Sequence, residues 1–178
     1  MANWFSSDHH FGHENIIRFC KRPFKSVGAM NFEMTRRWKY IVAPRDTVYY
    51  PGDFAMGDVE ACPKFCGRLH GTKNLVRGNH EKGYERMLAV GFAEVLENVV
   101  VEIDGTRVWM NHYPTDNSVD HRGYVRPNAP GPYDIAVCGH IHQKWKVKDR
   151  CVNVGVDVWD FKPISLADVR AALVTSTD

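Results

Sequence analysis

Residues 6 to 13 read Ser6-Ser7-Asp8-His9-His10-Phe11-Gly12-His13, directly after the apolar run Ala2 to Phe5. The run predicts a short buried strand, so Asp8 and His10, two residues apart, are expected to point the same way at its end. A carboxylate beside a neutral imidazole suits a divalent ion such as Zn²⁺, Mn²⁺ or Fe²⁺. A solvated strand end is the alternative, so the metal interpretation depends on further ligands downstream.

Four further polar clusters follow apolar, β-rich runs later in the chain. They are Gly52-Asp53 after Thr47 to Pro51, Gly78-Asn79-His80-Glu81 after Leu75 to Arg77, Asn111-His112 after Thr106 to Met110, and Gly139-His140-Ile141-His142 after Asp134 to Cys138. Because strand ends in a sheet can converge on one point, these side chains are expected to lie together. Of the nine histidines, only His70 and His121 lie away from the five clusters.

In order and approximate spacing, the five clusters resemble the five blocks of the calcineurin-like metallophosphoesterase superfamily. The matching residues are Asp8-x-His10, Gly52-Asp53, Gly78-Asn79-His80-Glu81, His112 and Gly139-His140-Ile141-His142. Residues 7–17 are similar to those of small, single-domain members found in bacteria and phages. The resemblance implies an α/β fold, a four-layer α-β-β-α sandwich with two mixed sheets. The chain length of 178 residues suits a single metallophosphoesterase domain over residues 1–178.

The resemblance also implies two divalent metal ions, with Mn²⁺ favoured and Fe, Zn or Ni as alternatives. It assigns Asp8, His10 and His142 to the first ion, and Asn79, His112 and His140 to the second. Asp53 is the candidate bridge, because a carboxylate has two oxygens that can bind two ions. Two ions about 3.5–4 Å apart can hold both the attacking and the leaving oxygen of a phosphoryl transfer.

The implied reaction is hydrolysis of a phosphodiester, such as a cyclic nucleotide, through attack by a metal-bound hydroxide. His80 is the candidate that protonates the leaving oxygen or stabilises transition-state charge; a histidine that only orients its neighbours is the alternative. Arg77 is a candidate for holding a phosphate oxygen, or equally for pairing with a surface acid. His13 is expected to approach the substrate from the first loop. Glu81 and Asp58 are candidate carboxylates for supporting the ligands.

Residues 113–133 are rich in proline and glycine and break the alternation of strands and helices. A loop of this length in a compact domain is usually functional or disordered. It joins the two runs that end in His112 and His140. An active-site loop that contacts a nucleotide through Arg122 and Tyr124 is therefore favoured over a passive excursion.

Composition bounds the alternatives. A net charge of +2, without a basic, aromatic-rich stripe, argues against a nucleic-acid partner and favours a small phosphoester or nucleotide. A nuclease, a phosphomonoesterase and a non-catalytic metal-binding scaffold remain the rival functions. Five cysteines without a secretory signal indicate reduced thiols and a cytoplasmic protein. No apolar run approaches the roughly 20 residues of a membrane span.

Periodicity and turn signals predict most of the regular elements. Helices are expected at residues 14–20, 30–42, 58–67 and 84–90, and after a cap at Ser165. One strand from Val95 to Ile103 is expected to pair with residues 106–112 through an Asp104-Gly105 hairpin turn. Pro51, which cannot donate to a sheet ladder, puts the strand pairing before Asp53 in doubt.

Overall fold

The computed structural model describes residues 1–56, 61–81, 83–114 and 128–175. Its helices are α1 (Glu14–Phe19), α2 (Val27–Ile41), α3 (Ala61–Arg68), α4 (Tyr84–Val90) and α5 (Leu166–Thr175), with one 3-10 turn at Val156–Val158. Its strands are β1 (Asn3–Phe5), β2 (Thr47–Pro51), β3 (Thr72–Val76), β4 (Glu94–Leu96), β5 (Val99–Ile103), β6 (Thr106–Met110), β7 (Ile135–Cys138), β8 (Val147–Lys148), β9 (Cys151–Asn153) and β10 (Ile164–Ser165).

The strands form two five-stranded sheets, in the orders β10-β1-β2-β3-β4 and β5-β6-β7-β9-β8. In the first sheet β1 to β4 are parallel and β10 is antiparallel to β1. In the second sheet β6, β7 and β9 are parallel, whereas the edge strands β5 and β8 are antiparallel to their neighbours. Both sheets are therefore mixed, and the predicted α/β class with two mixed sheets is confirmed.

Helix α2 supplies the predicted apolar face that covers the first sheet. Met30, Met34 and Trp38 are fully buried in one cluster with sheet residues such as Val48 and Leu75. Burial of each such side chain contributes roughly 1.5–3 kcal/mol. The helix begins at Val27, earlier than predicted, because the Ser26 side chain caps it by accepting a hydrogen bond from the Ala29 backbone N–H at 3.2 Å.

A second cluster fills the space between the two sheets. It joins apolar side chains of both sheets to the inner face of α5, through residues such as Phe5, Val137 and Val169. The predicted cap of α5 is present: the Asp168 backbone N–H donates to Ser165 Oγ at 3.1 Å, and the Ser165 backbone N–H donates to Asp168 Oδ2 at 2.8 Å. The outer face of the second sheet is covered by loop side chains, including Tyr133 and Trp145.

One strand prediction is wrong. The expected strand Val95 to Ile103 is two strands, because β4 pairs with β3 in the first sheet and β5 pairs with β6 in the second. The chain crosses between the sheets at Glu97 and Asn98. The polar pair Glu97-Asn98 interrupts the apolar run, but two polar residues between apolar runs do not by themselves indicate a change of strand partner. The hairpin after β5 is as predicted, with φ of 48° at Asp104 and 72° at Gly105.

Other expectations fall partly outside the described residues. The predicted helix at 58–67 is present as α3, but residues 57–60, including Asp58, lie outside the description. Of the loop 113–133, residues 115–127 lie outside it too. Cys20, Cys66, Cys138 and Cys151 are free thiols. Within the described part of the chain, no helix has the length and apolarity needed to cross a membrane.

The two sheets meet at the ends of their parallel strands. The Ser7 backbone N–H donates to Val154 O of the second sheet at 3.1 Å, and the Asp8 backbone N–H donates to Gly52 O at 3.1 Å. Within the second sheet, the Gly139 backbone N–H donates to His112 O at 2.9 Å. The segments that follow β1, β2, β6, β7 and β9 are thus tied together, and their polar clusters share one end of the sandwich.

Candidate metal centre

Five of the seven predicted metal ligands have a left-handed backbone. Their φ angles are 57° at Asp8, 51° at His10, 59° at Asp53, 72° at His140 and 49° at His142. Each such residue costs about 1–2 kcal/mol, so the conformation persists only where the surroundings impose it, and it is concentrated at functional sites. The turn that each residue makes at a strand end allows side chains from two sheets to face one centre.

Two groups of predicted ligands share this centre, and a third, overlapping set of ligand atoms, those of His10, Asp53 and His80, also lies within 4.8 Å. The ligand atoms of Asp8, His10 and His142 lie within 4.8 Å of one another, and so do those of Asp53, His112 and His140. Asn79 joins the second group, because its Oδ1 lies 3.0 Å from both His112 Nε2 and His140 Nδ1. All seven predicted ligands are therefore brought together, while their role as ligands stays a prediction.

Asp53 lies between the two groups. Its Oδ2 is 3.5 Å from His10 Nε2 and 3.5 Å from His112 Nε2. Its Oδ1 accepts a hydrogen bond from the His80 backbone N–H at 3.2 Å. The carboxylate is almost fully buried, with 2 % of the side chain exposed. One oxygen of Asp53 therefore faces imidazoles of both groups.

The lone pairs at this centre converge on each other. His112 Nδ1 lies 2.9 Å from Pro51 O, which places the proton of the neutral ring on Nδ1 and leaves Nε2 as an acceptor. That acceptor faces the carboxylate of Asp53 and the amide oxygen of Asn79. Pro51 also keeps its pairing with Val76 in β3, so its missing N–H does not disturb the strand.

His10 provides an independent test of fit. Its Nε2 is buried without a hydrogen-bond partner, although an unpaired buried polar atom costs about 1–3 kcal/mol. The carboxylates, imidazoles and amide oxygen around it are ligands of the kind that borderline divalent metals accept. The residues present therefore fit divalent ions.

Burial makes charge costly at this centre. Desolvation raises the pKa of Asp53 to about 7, with Glu81 and Asp8 adding to the shift and His112 opposing it. Desolvation and then the neighbouring His142 hold the pKa of His10 well below its usual value. A bound cation would favour the ionised carboxylate and the neutral imidazole, the forms that bind metal.

The remaining predicted residues lie around this centre or outside the description. His80 Nε2 is 3.8 Å from Asp53 Oδ2, and 23 % of the side chain is exposed. His13 Nδ1 lies 3.4 Å from His10 Nδ1. Arg77 Nε lies 3.1 Å from Glu97 Oε1, and its guanidinium lies 5.1 Å from the Tyr84 ring centroid, as in the surface ion-pair alternative. The candidate substrate contacts Arg122 and Tyr124 lie outside the described residues.

Glu81 supports two of the loops that carry candidate ligands. Its Oε1 accepts a hydrogen bond from the Phe54 backbone N–H at 2.8 Å, and its Oε2 accepts one from the Gly78 backbone N–H at 2.7 Å. The carboxylate thus joins the loop of Asp53 to that of Asn79.

Two glycines are required by close approach. A Cβ on Gly52, whose φ is 80°, would lie 2.4 Å from His112 Nδ1. A Cβ on Gly139 would lie 2.6 Å from Asp8 Oδ2. These distances are shorter than van der Waals contact, so both positions exclude a side chain.

Comparison with known proteins agrees with this geometry. Residues 1–168 match the model of the calcineurin-like phosphoesterase superfamily domain. The chain belongs to this superfamily. Its members act on phosphoesters and typically bind divalent metals, which supports a hydrolase.

Two similar proteins align with nearly the whole of this chain. An uncharacterised protein of Methanocaldococcus jannaschii is 29 % identical over 170 residues, which are 90 % of this chain and 84 % of that protein. The crystal structure of a protein of unknown function from Aquifex aeolicus superimposes with a TM-score of 0.73 at 26 % identity, covering 96 % of this chain and 98 % of that one. The whole arrangement of two sheets is therefore shared with a solved structure.

His142 is held by three polar residues that the sequence analysis did not identify. Asp157 Oδ2 lies 2.8 Å from His142 Nδ1, and Arg22 Nε donates to Asp157 Oδ1 at 2.7 Å. Asn153 Nδ2 donates to His142 O at 2.7 Å, fixing the backbone at that left-handed residue. Asp157 follows strand β9 as other acids follow their strands, and this signal could have identified it. Arg22 lies 135 residues before Asp157, and no local pattern indicates the contact.

We predict that the metal-free protein loses stability as pH rises above neutrality. Burial lowers the pKa of His142, but the hydrogen bond to Asp157 and contacts with Cys20 and Asp8 outweigh it and raise the pKa to about 10. The folded state then keeps a proton that the unfolded state releases near its ordinary pKa of 6.5. The stabilisation is complete below that pH and is lost as pH rises toward 10.

Urea unfolding of chelator-treated protein between about pH 7 and 8.5 measures this effect. The free energy of unfolding should fall with pH in the wild type. The decline should be smaller in His142→Gln, where only other groups with a raised pKa, such as His112, still contribute. Equal slopes in the two proteins would show that His142 does not hold the extra proton.

Proposed function

We propose that this chain hydrolyses a small phosphodiester, such as a cyclic nucleotide, with two divalent ions, Mn²⁺ being favoured. The first ion would be held by Asp8, His10 and His142, and the second by Asn79, His112 and His140, with Asp53 shared. The observation that supports the proposal most strongly is the position of Asp53 Oδ2, 3.5 Å from His10 Nε2 and 3.5 Å from His112 Nε2. A carboxylate shared by two imidazole groups is the arrangement that a pair of ions needs.

Two ions bound there would lower the pKa of water and polarise the phosphoryl oxygens. His80 is the residue placed to act on the leaving oxygen. It stands at the exposed side of the centre, while its backbone N–H is fixed by Asp53 Oδ1 at 3.2 Å. We propose that its imidazole holds a proton near the substrate rather than binding an ion, although its ring nitrogen also lies within 4.8 Å of ligand atoms of His10 and Asp53.

The charges of the chain favour a diester over a monoester. A monoester carries about two negative charges at neutral pH, because the second pKa of a phosphoryl group is about 6, whereas a diester carries one. Two arginines of the described segments border the centre. Arg22 is fully engaged by buried acceptors, and Arg77 pairs with Glu97. The histidines His13 and His80 also border the centre, and they are weaker charge partners than an arginine, which matches the lower charge of a diester.

We propose that the loop 113–133 determines which phosphodiester is preferred. We propose that Arg122 and Tyr124 contact a nucleotide substrate, Arg122 by its charge and Tyr124 by stacking on the base. His13 would approach the phosphoryl group from the first loop, where its ring lies beside His10.

The proposed substrate class is tested by a panel with added Mn²⁺. Cyclic nucleotides and an aryl phosphodiester should be hydrolysed with a higher kcat/KM than the matching phosphomonoesters or oligonucleotides. Preference for monoesters would overturn the charge argument, and preference for oligonucleotides would identify a nuclease. Absence of turnover on every phosphoester would identify a metal-binding scaffold.

We predict that His80→Ala lowers kcat by about 10²–10⁴-fold, the usual contribution of a positioned acid or base. Metal content should be retained, because neither of the two proposed sets of ligands includes His80. His70→Ala is the matched control, since His70 lies away from the centre and contacts Val42 O at 3.1 Å. If His80→Ala loses metal in proportion to activity, His80 is a ligand and its assignment as the acid is wrong.

A further inference from the structure

Arg22 is a buried arginine whose donors are all used at the candidate metal centre. It is 4 % exposed. Nε and Nη2 donate to the two oxygens of Asp157 at 2.7 and 2.8 Å, in the forked geometry that arginine forms with a carboxylate. Nη2 also donates to Asp8 O at 2.7 Å, and Nη1 donates to His9 O at 2.8 Å and to Met30 Sδ at 3.5 Å. A guanidinium engaged in this way has no donor left for a substrate.

The carbonyl contacts hold the backbone that carries two candidate ligands. Asp8 and His10 both have positive φ, which L residues rarely adopt. Arg22 bonds the carbonyls of Asp8 and of His9, the residue between the two ligands. The planar guanidinium of Arg22 therefore fixes the strained turn through its backbone carbonyls.

Asp157 links Arg22 to His142. Its Oδ2 accepts hydrogen bonds from Arg22 Nη2 and from His142 Nδ1, each at 2.8 Å. This contact places a proton on Nδ1, so that Nε2 carries the lone pair of the neutral ring. Histidines that bind metal usually donate their other N–H to a carboxylate or carbonyl in this manner. One ion pair therefore connects the turn after β1 with the segment after β9, across the two sheets.

A different role for this cluster is a metal site of its own. Cys20, His142 and Asp157 offer ligand atoms within 4.8 Å of one another. However, both oxygens of Asp157 already accept from the Arg22 guanidinium. A cation bound there would lie against a second positive charge. The geometry therefore favours a supporting role for Asp157 over metal binding at this cluster.

We propose that Arg22 and Asp157 are positioning residues for the first ion. Arg22 fixes the turn that carries Asp8 and His10. Asp157 fixes the tautomer and the orientation of His142. This inference rests on the proposed two-ion centre. It concerns one half of that centre, because neither residue contacts the second group of Asn79, His112 and His140 in the bonds described above. Removing the Arg22–Asp157 pair should therefore weaken binding of the first ion and not of the second.

The first test needs no substitution. In zinc-loaded protein with ¹⁵N-labelled histidine, long-range proton–nitrogen couplings distinguish Nδ1 from Nε2. His142 should carry its proton on Nδ1, and that proton should exchange slowly because it is bonded to a buried carboxylate. A proton on Nε2 of His142 would overturn the proposal.

The second test measures Mn²⁺ affinity by titration calorimetry. Asp157→Asn keeps the shape of the side chain but removes its charge, and it should weaken the first ion by about 10–100-fold while leaving the second within about twofold. The matched control is Asp160→Asn, which removes a nearby exposed carboxylate bonded to Arg37 Nη1 at 2.6 Å, and it should change neither affinity. Equal weakening of both ions, or of neither, would overturn the assignment.

A double substitution separates positioning from folding. Arg22→Met combined with Asp157→Leu leaves no uncompensated buried charge, so the fold should be retained by circular dichroism. The first ion should still be weakened. Wild-type affinity for both ions in this variant would contradict the proposal, whereas a wild type that binds no ion at all would contradict the proposed function instead.

Discussion

The buried carboxylate of Asp53 is the group around which the electrostatics of this molecule are arranged. Its Oδ2 faces imidazole nitrogens of two groups at 3.5 Å, in a place where burial raises its pKa to about 7. An isolated buried carboxylate is strongly disfavoured unless it is protonated, paired with a charge or bound to a metal. The unpaired Nε2 of His10 and the converging acceptors of Asn79 and His112 have the same requirement. Divalent cations between these groups would satisfy all of them together.

The fold provides this centre by bringing strand ends from two sheets to one place. Parallel strands β1, β2 and β3 carry their polar ends to one edge of the first sheet, and β6, β7 and β9 do so in the second. Left-handed residues then turn the chain sharply, and glycines at 52 and 139 leave room for the neighbouring side chains. Apolar packing between and outside the sheets supports these strained turns, so stability and site geometry depend on the same strands.

The sequence predicts much of this centre because its clusters recur at strand ends. Periodicity and caps also locate α2, α4 and α5 closely. The features that the sequence does not reveal depend on contacts between segments that are distant in the chain. The crossing at Glu97 and Asn98 is marked in the sequence only by this polar pair, which does not distinguish a change of sheet from an exposed stretch of one strand. Arg22 lies in an ordinary loop sequence, and only the folded chain brings it to Asp157 and to the carbonyls of Asp8 and His9. Arg77 has two plausible partners by sequence, and the folded structure pairs it with Glu97.

The central claim is that two ions share Asp53, and metal analysis after loading with Mn²⁺ tests it most directly. The wild type should retain close to two equivalents per chain. Asp53→Asn keeps the size of the side chain but removes the shared charge, so it should retain clearly less metal than the wild type. A firm value of one equivalent in the wild type, unchanged in Asp53→Asn, would contradict the claim that this carboxylate joins two metal sites.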